Sequence, residues 1–177
     1  MTARIACLFL CLLIGVSCRS IGGSDTDASD YLLTFAITPG LQQYFIKPIS
    51  ATSLVNDDEL FLDCTMRHGA GAPDTSVLNF SVVSSDLLKN IDSFAIATAS
   101  VRARNTSWQL LFNERSGDNI LSRFSVGVRT SELLALTADP RWTITVTSAG
   151  KNYQFVLSTA GQKALSAVDH AVFSLLR

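Results

Sequence analysis

The chain has 177 residues, a formal charge of −1 and 47% hydrophobic residues. Once an apolar leader is set aside, that length suits one domain with a sizeable core. The near-neutral balance carries no global basic field, which excludes nucleic acid as an expected partner. Charged residues make up only 16%, below the usual quarter, and serine, threonine and asparagine fill the gap, as is common in exported β-rich proteins.

Met1 to Cys18 reads as a signal peptide. Arg4 is its one charged residue, and Ile5 to Val16 is almost wholly apolar. That is an h-region of signal-peptide length, short of the roughly 20 residues a spanning helix needs. It ends in Gly15-Val16-Ser17-Cys18. A small residue before a cysteine at the end of such a region resembles the lipobox of bacterial lipoproteins, over Leu13 to Cys18. Gly15 stands where that family usually has a large aliphatic residue. The resemblance implies a lipidated Cys18 as the first mature residue, and Arg19 after it implies the outer membrane. Plain cleavage near Cys18 is the alternative. Residues 19–30, RSIGGSDTDASD, read as a flexible, weakly acidic tether. Residues 31–177 read as a single β-rich domain.

Within that domain, Tyr31 to Thr38 reads as a strand stopped by Pro39-Gly40. Leu41 to Ile49 follows, with Pro48 marking an edge or a strand end. Glu59 to Cys64 alternates, with Leu60, Leu62 and Cys64 on one face. Arg67 to Asp74 reads as a loop. Ser76 to Ser84 is a strand, and Ser85 to Ile91 a short helix or a connection. Phe94 to Arg104 reads as one long strand. Ser107 to Asn113 places Trp108, Leu110 and Phe112 on one face. Arg115 to Asn119 is a hairpin turn, and Ile120 to Thr130 returns with Phe124, Val126 and Val128 inward.

Ser131 to Thr137 reads as one or two helical turns ended before Pro140. Trp142 to Thr147 and the strand carrying Tyr153, Phe155 and Leu157 form a hairpin around Ala149-Gly150. Trp108 and Trp142 both fall inward by parity, as core residues. A terminal helix begins near Thr159 and Gln162, which stand at capping-box spacing. Its apolar stripe is Ala164, Leu165, Val168, Ala171, Val172, Leu175 and Leu176. About eight strands at hairpin spacing and one amphipathic helix give a mainly β (α+β) fold. The expected form is an antiparallel β-sandwich or curved sheet with the C-terminal helix packed on it.

Candidate chemistry is sparse. Cys64 and His68 form a C-x3-H pair, the pattern of a thiol nucleophile with an imidazole base. The alternation turns Cys64 inward, where a free cysteine behaves as a small hydrophobe. His170 lies far along the chain, so no metal site is expected, and no nucleotide or hydrolase motif calls for a cofactor. Arginines after the leader outnumber lysines nine to four. Arg102 with Arg104, and Arg123 with Arg129, share strand faces. If those faces coincide they make a guanidinium patch for carboxylate or phosphate groups; ordinary solvated arginine is the competing reading.

The sequence therefore points to an exported envelope protein, lipid-anchored through Cys18 or free in the periplasm. Its expected role is non-enzymatic binding of an envelope protein or an anionic envelope component. An exported hydrolase or thiol enzyme using Cys64 and His68, and a secreted ligand carrier, are the alternatives.

Overall fold

The computed structural model describes residues 28–177. The expected leader, the expected lipidation site Cys18 and residues 19–27 of the expected tether lie outside the described residues. Ala28–Asp30, at the end of the expected tether, is a 3-10 turn held by the Tyr31 amide on the Ala28 carbonyl.

Ten strands follow: β1 (Leu32–Thr38), β2 (Leu41–Ser53), β3 (Glu59–Gly69), β4 (Thr75–Ser84), β5 (Ser93–Ala97), β6 (Arg102–Asn105), β7 (Trp108–Ser116), β8 (Asn119–Arg129), β9 (Thr143–Ser148) and β10 (Lys151–Leu157). Helix α1 (Thr130–Thr137) separates β8 from β9, and α2 (Thr159–Val168) continues into a π-helical turn, Asp169–Phe173. A last turn, Ser174–Leu176, ends the chain. All strand pairs are antiparallel, in the order β6-β5-β9-β10-β2-β3-β4-β8-β7, with β1 added to β2 beside β10. The sheet is open and strongly curled, with the C-terminal helix packed on it. Of the two expected forms, the curved sheet is the one found.

The curl follows from chain connectivity. β6 and β7 stand at opposite ends of the strand order, yet only Thr106 and Ser107 join them. The three Cα steps from Asn105 to Trp108 span at most about 11 Å, so the two ends of the sheet must meet. Its concave face then closes around one core. Phe80 stacks on Phe94 at 4.3 Å and on Phe124 at 5.3 Å, and Trp108 meets Phe124 edge-on at 5.8 Å. This stack joins β5 on one arm to β4, β8 and β7 on the other, at about 0.5–1.5 kcal/mol per pair beyond area burial. Trp142 is buried, and its indole N–H donates to the Leu136 carbonyl at the end of α1 at 2.9 Å. Trp108 is half-buried.

Local sequence explains most elements. Pro39-Gly40 turns β1 into β2, with Gly40 at φ +80°. Gly117 (φ +62°) and Ala149-Gly150 (φ +50° and +76°) turn the later hairpins. β2 runs through Pro48 instead of ending there. Lys47 and Pro48 together oppose Asp63, a bulge at which the missing proline N–H costs no ladder bond. β3 likewise runs on to Gly69, through residues expected to form a loop, because Leu41–Tyr44 give it partners. Ser85 to Ile91 is a connection without helix.

Three further expectations are corrected. Phe94 to Arg104 is not one strand. The Thr98 hydroxyl accepts from the Ser100 and Val101 amides at 3.3 and 3.1 Å and folds the stretch into the β5–β6 hairpin. Inward residues accordingly change from even (Phe94, Ile96) to odd (Ala103). Phe112 does not share a face with Leu110. Leu110 pairs with Phe124, whereas Phe112 pairs with Arg123, because a bulge absorbs Leu111. Phe112 is therefore exposed on the convex face. The terminal helix is capped one residue earlier than expected, by Ser158, whose hydroxyl accepts from the Gly161 amide at 3.0 Å. Its π turn then rotates the stripe by a residue. Phe173 is fully buried, Ala171 is exposed and Leu175 is 78% exposed.

Candidate functional site

The meeting of the two sheet ends is incomplete, and the gap is a cavity. β7 pairs with β8 only as far as Val126, so the β8 segment Gly127–Arg129 has no strand on that side. The edge strand β6 faces it. Asn105 bridges the two: its side-chain amide donates to the Gly127 carbonyl, and its oxygen accepts from the Ser107 amide at 2.6 Å. One residue thus clamps the seam and turns the chain from β6 into β7. Above the clamp lies a cleft of about 410 Å³, within the size range of small-molecule sites. Its floor is Phe94, Ile96, Ala103 and Val128, and its rim carries Arg104, Thr106, Arg129 and Glu132. Because Phe94 also stacks on Phe80, the floor is held by the core.

The four arginines separate. Arg104 on β6 and Arg129 at the end of β8 line this one cleft, although β6 and β8 are far apart in the strand order. Arg102 lies on the same face of β6 as Arg104, about 7 Å along the strand. Among the described residues, none of these three makes an ion pair. Arg123 stands about 20 Å along β8 from Arg129 and is committed elsewhere. It pairs with Asp63 and donates to the Ser81 hydroxyl at 2.8 Å, while the Asn79 amide donates to Asp63 at 2.8 Å. Asp63 is only 2% exposed although it lies on the convex face. Burying a carboxylate demands such complete pairing, so Arg123 belongs to a structural cluster and leaves the guanidinium patch.

The thiol and imidazole do not form a dyad. Cys64 faces the core at 1% exposure, and burial, with the adjacent Asp63 carboxylate adding to it, pushes its pKa up to about 12. His68 lies on the same strand four residues on, about 13 Å away, at the exposed end of β3. Among the described residues no group of three or more His, Cys, Asp or Glu side chains is arranged to hold a metal ion. No helix there is long and apolar enough to cross a membrane.

Sequence reasoning named Arg104 and Arg129 but missed Asn105, Thr106 and Glu132. The available signal was the link between Arg104 and Trp108, too short for two strands unless the sheet ends meet there. A shallower hollow of about 240 Å³, lined by Trp108 and Gln109, shares Gly127 with the cleft and places an indole beside it. Comparisons with protein-family models, curated proteins and solved structures return no match.

Proposed function

We propose that this chain is a non-enzymatic binding module of the cell envelope, exported through its leader and tethered at Cys18, and that it takes an anionic ligand at the seam cleft. The observation that carries the ligand reading is the pair Arg104 and Arg129, without ion-pair partners among the described residues, above a floor of Phe94, Ile96 and Val128. Guanidinium forks favour carboxylate or phosphate, and the floor favours an attached apolar group. Glu132 on the same rim repels a second anionic group, so the ligand has one charged end. The export half of the reading is supported by Arg4, the Ile5 to Val16 run and Ser17-Cys18. The buried thiol weighs against the enzyme alternative, since a nucleophilic cysteine needs access and a depressed pKa.

Titration with a short alkyl phosphate, an alkyl carboxylate and a neutral alkyl glycoside, followed by Trp108 fluorescence and calorimetry, tests the site. The anionic probes bind, and Arg104→Ala or Arg129→Ala each weakens them about tenfold or more, the loss of one charge-assisted contact. Equal binding of the glycoside, or indifference to both substitutions, removes the reading. Intact mass of the protein from its native envelope tests the tether. A chain starting at Cys18 with diacylglycerol and an N-acyl group supports it, and an unmodified chain overturns it.

A further inference from the structure

We propose that β1 is a dimerisation edge, on which a second copy of this chain adds its own β1 in antiparallel register. This inference stands apart from the seam cleft. Tyr31 and Lys47 are directly opposed, with the Lys47 amide donating to the Tyr31 carbonyl at 2.8 Å. Alternation of an antiparallel ladder then gives Leu33 and Phe35 to β2 and leaves the main-chain groups of Leu32, Thr34 and Ala36 on the free edge. Every β1 residue after Leu32 is exposed, including Leu33 (41%), Phe35 (47%) and Ile37 (46%).

Unpaired edges are normally protected by charge. The two ends of the strand order obey that rule: β6 carries Arg102 and Arg104, and β7 carries Glu114 and Arg115. β1 reads LLTFAIT and carries no charge. It is also self-complementary about Phe35. A two-fold axis there sets Phe35 against its copy and Thr34 against Ala36, ahead of the β1 bulge at Ile37, and no like charges oppose each other. Leu33 and Phe35 from both copies then lie on one face of a continuous sheet. The three apolar side chains expose roughly 250 Å² per copy. With the paired backbone, the interface totals roughly 800–1,000 Å², at the low end for specific association. The expected dimer is therefore weak, with a Kd of roughly tens of micromolar.

Sedimentation velocity of the full chain from 1 to about 500 µM reads the equilibrium. The wild type shifts from monomer to dimer. Phe35→Lys, which sets two cations face to face, and Thr34→Pro, which removes a free-edge donor, each weaken the dimer about thirtyfold or more. Both sites are exposed, and an unchanged unfolding curve verifies that the monomer is intact. Register is read by oxidation of single-cysteine variants in a full chain whose Cys7, Cys11 and Cys18 are serine. Phe35→Cys cross-links, because the pair lies within disulfide reach. Leu33→Cys does not, because the two copies of residue 33 stand about 13 Å apart. A wild type that stays monomeric throughout, as it does when a foreign strand or residues 1–27 occupy this edge, overturns the proposal. So does a dimer indifferent to both edge substitutions, or equal cross-linking at positions 33 and 35.

Discussion

Replacing Gly161 with alanine adds one methyl group in the first turn of α2, where intrinsic propensity alone favours alanine by up to about 1 kcal/mol. The structure reverses the sign. A Cβ at this position sits 2.3 Å from the Ser50 carbonyl oxygen of β2, whereas real contacts essentially never fall below 3.0 Å. The helix must therefore retreat by about 0.7 Å or more, an overpacking that costs about 1–3 kcal/mol. Retreat also strains the bonds that seat the helix. The Ser158 amide donates to the same Ser50 carbonyl at 3.0 Å, and the two serine hydroxyls share a bond of 2.6 Å. Losing one of these adds about 1 kcal/mol. Set against the propensity gain, net destabilisation is then about 1–3 kcal/mol, or a fall in Tm of roughly 3–10 °C for a domain of this size. Urea unfolding and calorimetry measure it, with exposed Ala160→Gly as a control that carries only the propensity loss. A Tm equal to or above wild type for Gly161→Ala would refute the close approach of α2 to β2.

The remaining predictions concern the core and its buried polar groups. Phe173→Ala leaves a cavity costing about 3–5 kcal/mol, whereas Leu175→Ala changes stability by less than about 0.5 kcal/mol; the order reverses if the helix lacks its π turn, and urea midpoints decide. Asp63→Ala strands the Arg123 guanidinium and the Asn79 amide and costs about 2–4 kcal/mol, while Asp63→Leu combined with Arg123→Met recovers most of the loss in the same assay. The native Cys64 thiol resists alkylation at pH 8 and reacts on unfolding. Its folded pKa of about 12 lies above the ordinary value of about 9. Its contribution to stability is therefore complete below pH 9 and is lost as pH rises towards 12, because the unfolded chain releases the proton first. The slope is about 1.4 kcal/mol per pH unit. Between pH 8 and 10.5 the wild type loses about 2 kcal/mol more than Cys64→Ala, and equal losses in urea unfolding would count against a buried thiol.

Much of the fold was legible because its signals are local. Leu60, Leu62 and Cys64 recur at every second position, Pro39-Gly40 and Ala149-Gly150 supply the turns, and Ala164, Leu165 and Val168 recur at helical spacing. Several misread elements are those where one inserted residue changes parity. The Leu111 bulge, the Lys47-Pro48 bulge and the π turn after Val168 each leave composition untouched while moving every later side chain to another face. Nothing in FAIATASVRAR marks Thr98 as a turn until its hydroxyl is seen to bind the Ser100 and Val101 amides.

Most strand and helix identities, inward burial of Cys64 and Trp142, and the arginine-rich strands were thus determined by the sequence alone, through periodicity and turn chemistry. Which arginines stand together was decided only by the tertiary structure. Arg123 lies on the same strand face as Arg129, yet Asp63 holds it. Arg104 shares no strand pairing with β8, yet it joins Arg129 because a two-residue link draws the ends of a curled sheet together. Strand periodicity sets the direction of a side chain, whereas its neighbours depend on how the sheet closes, which is a property of long-range pairing.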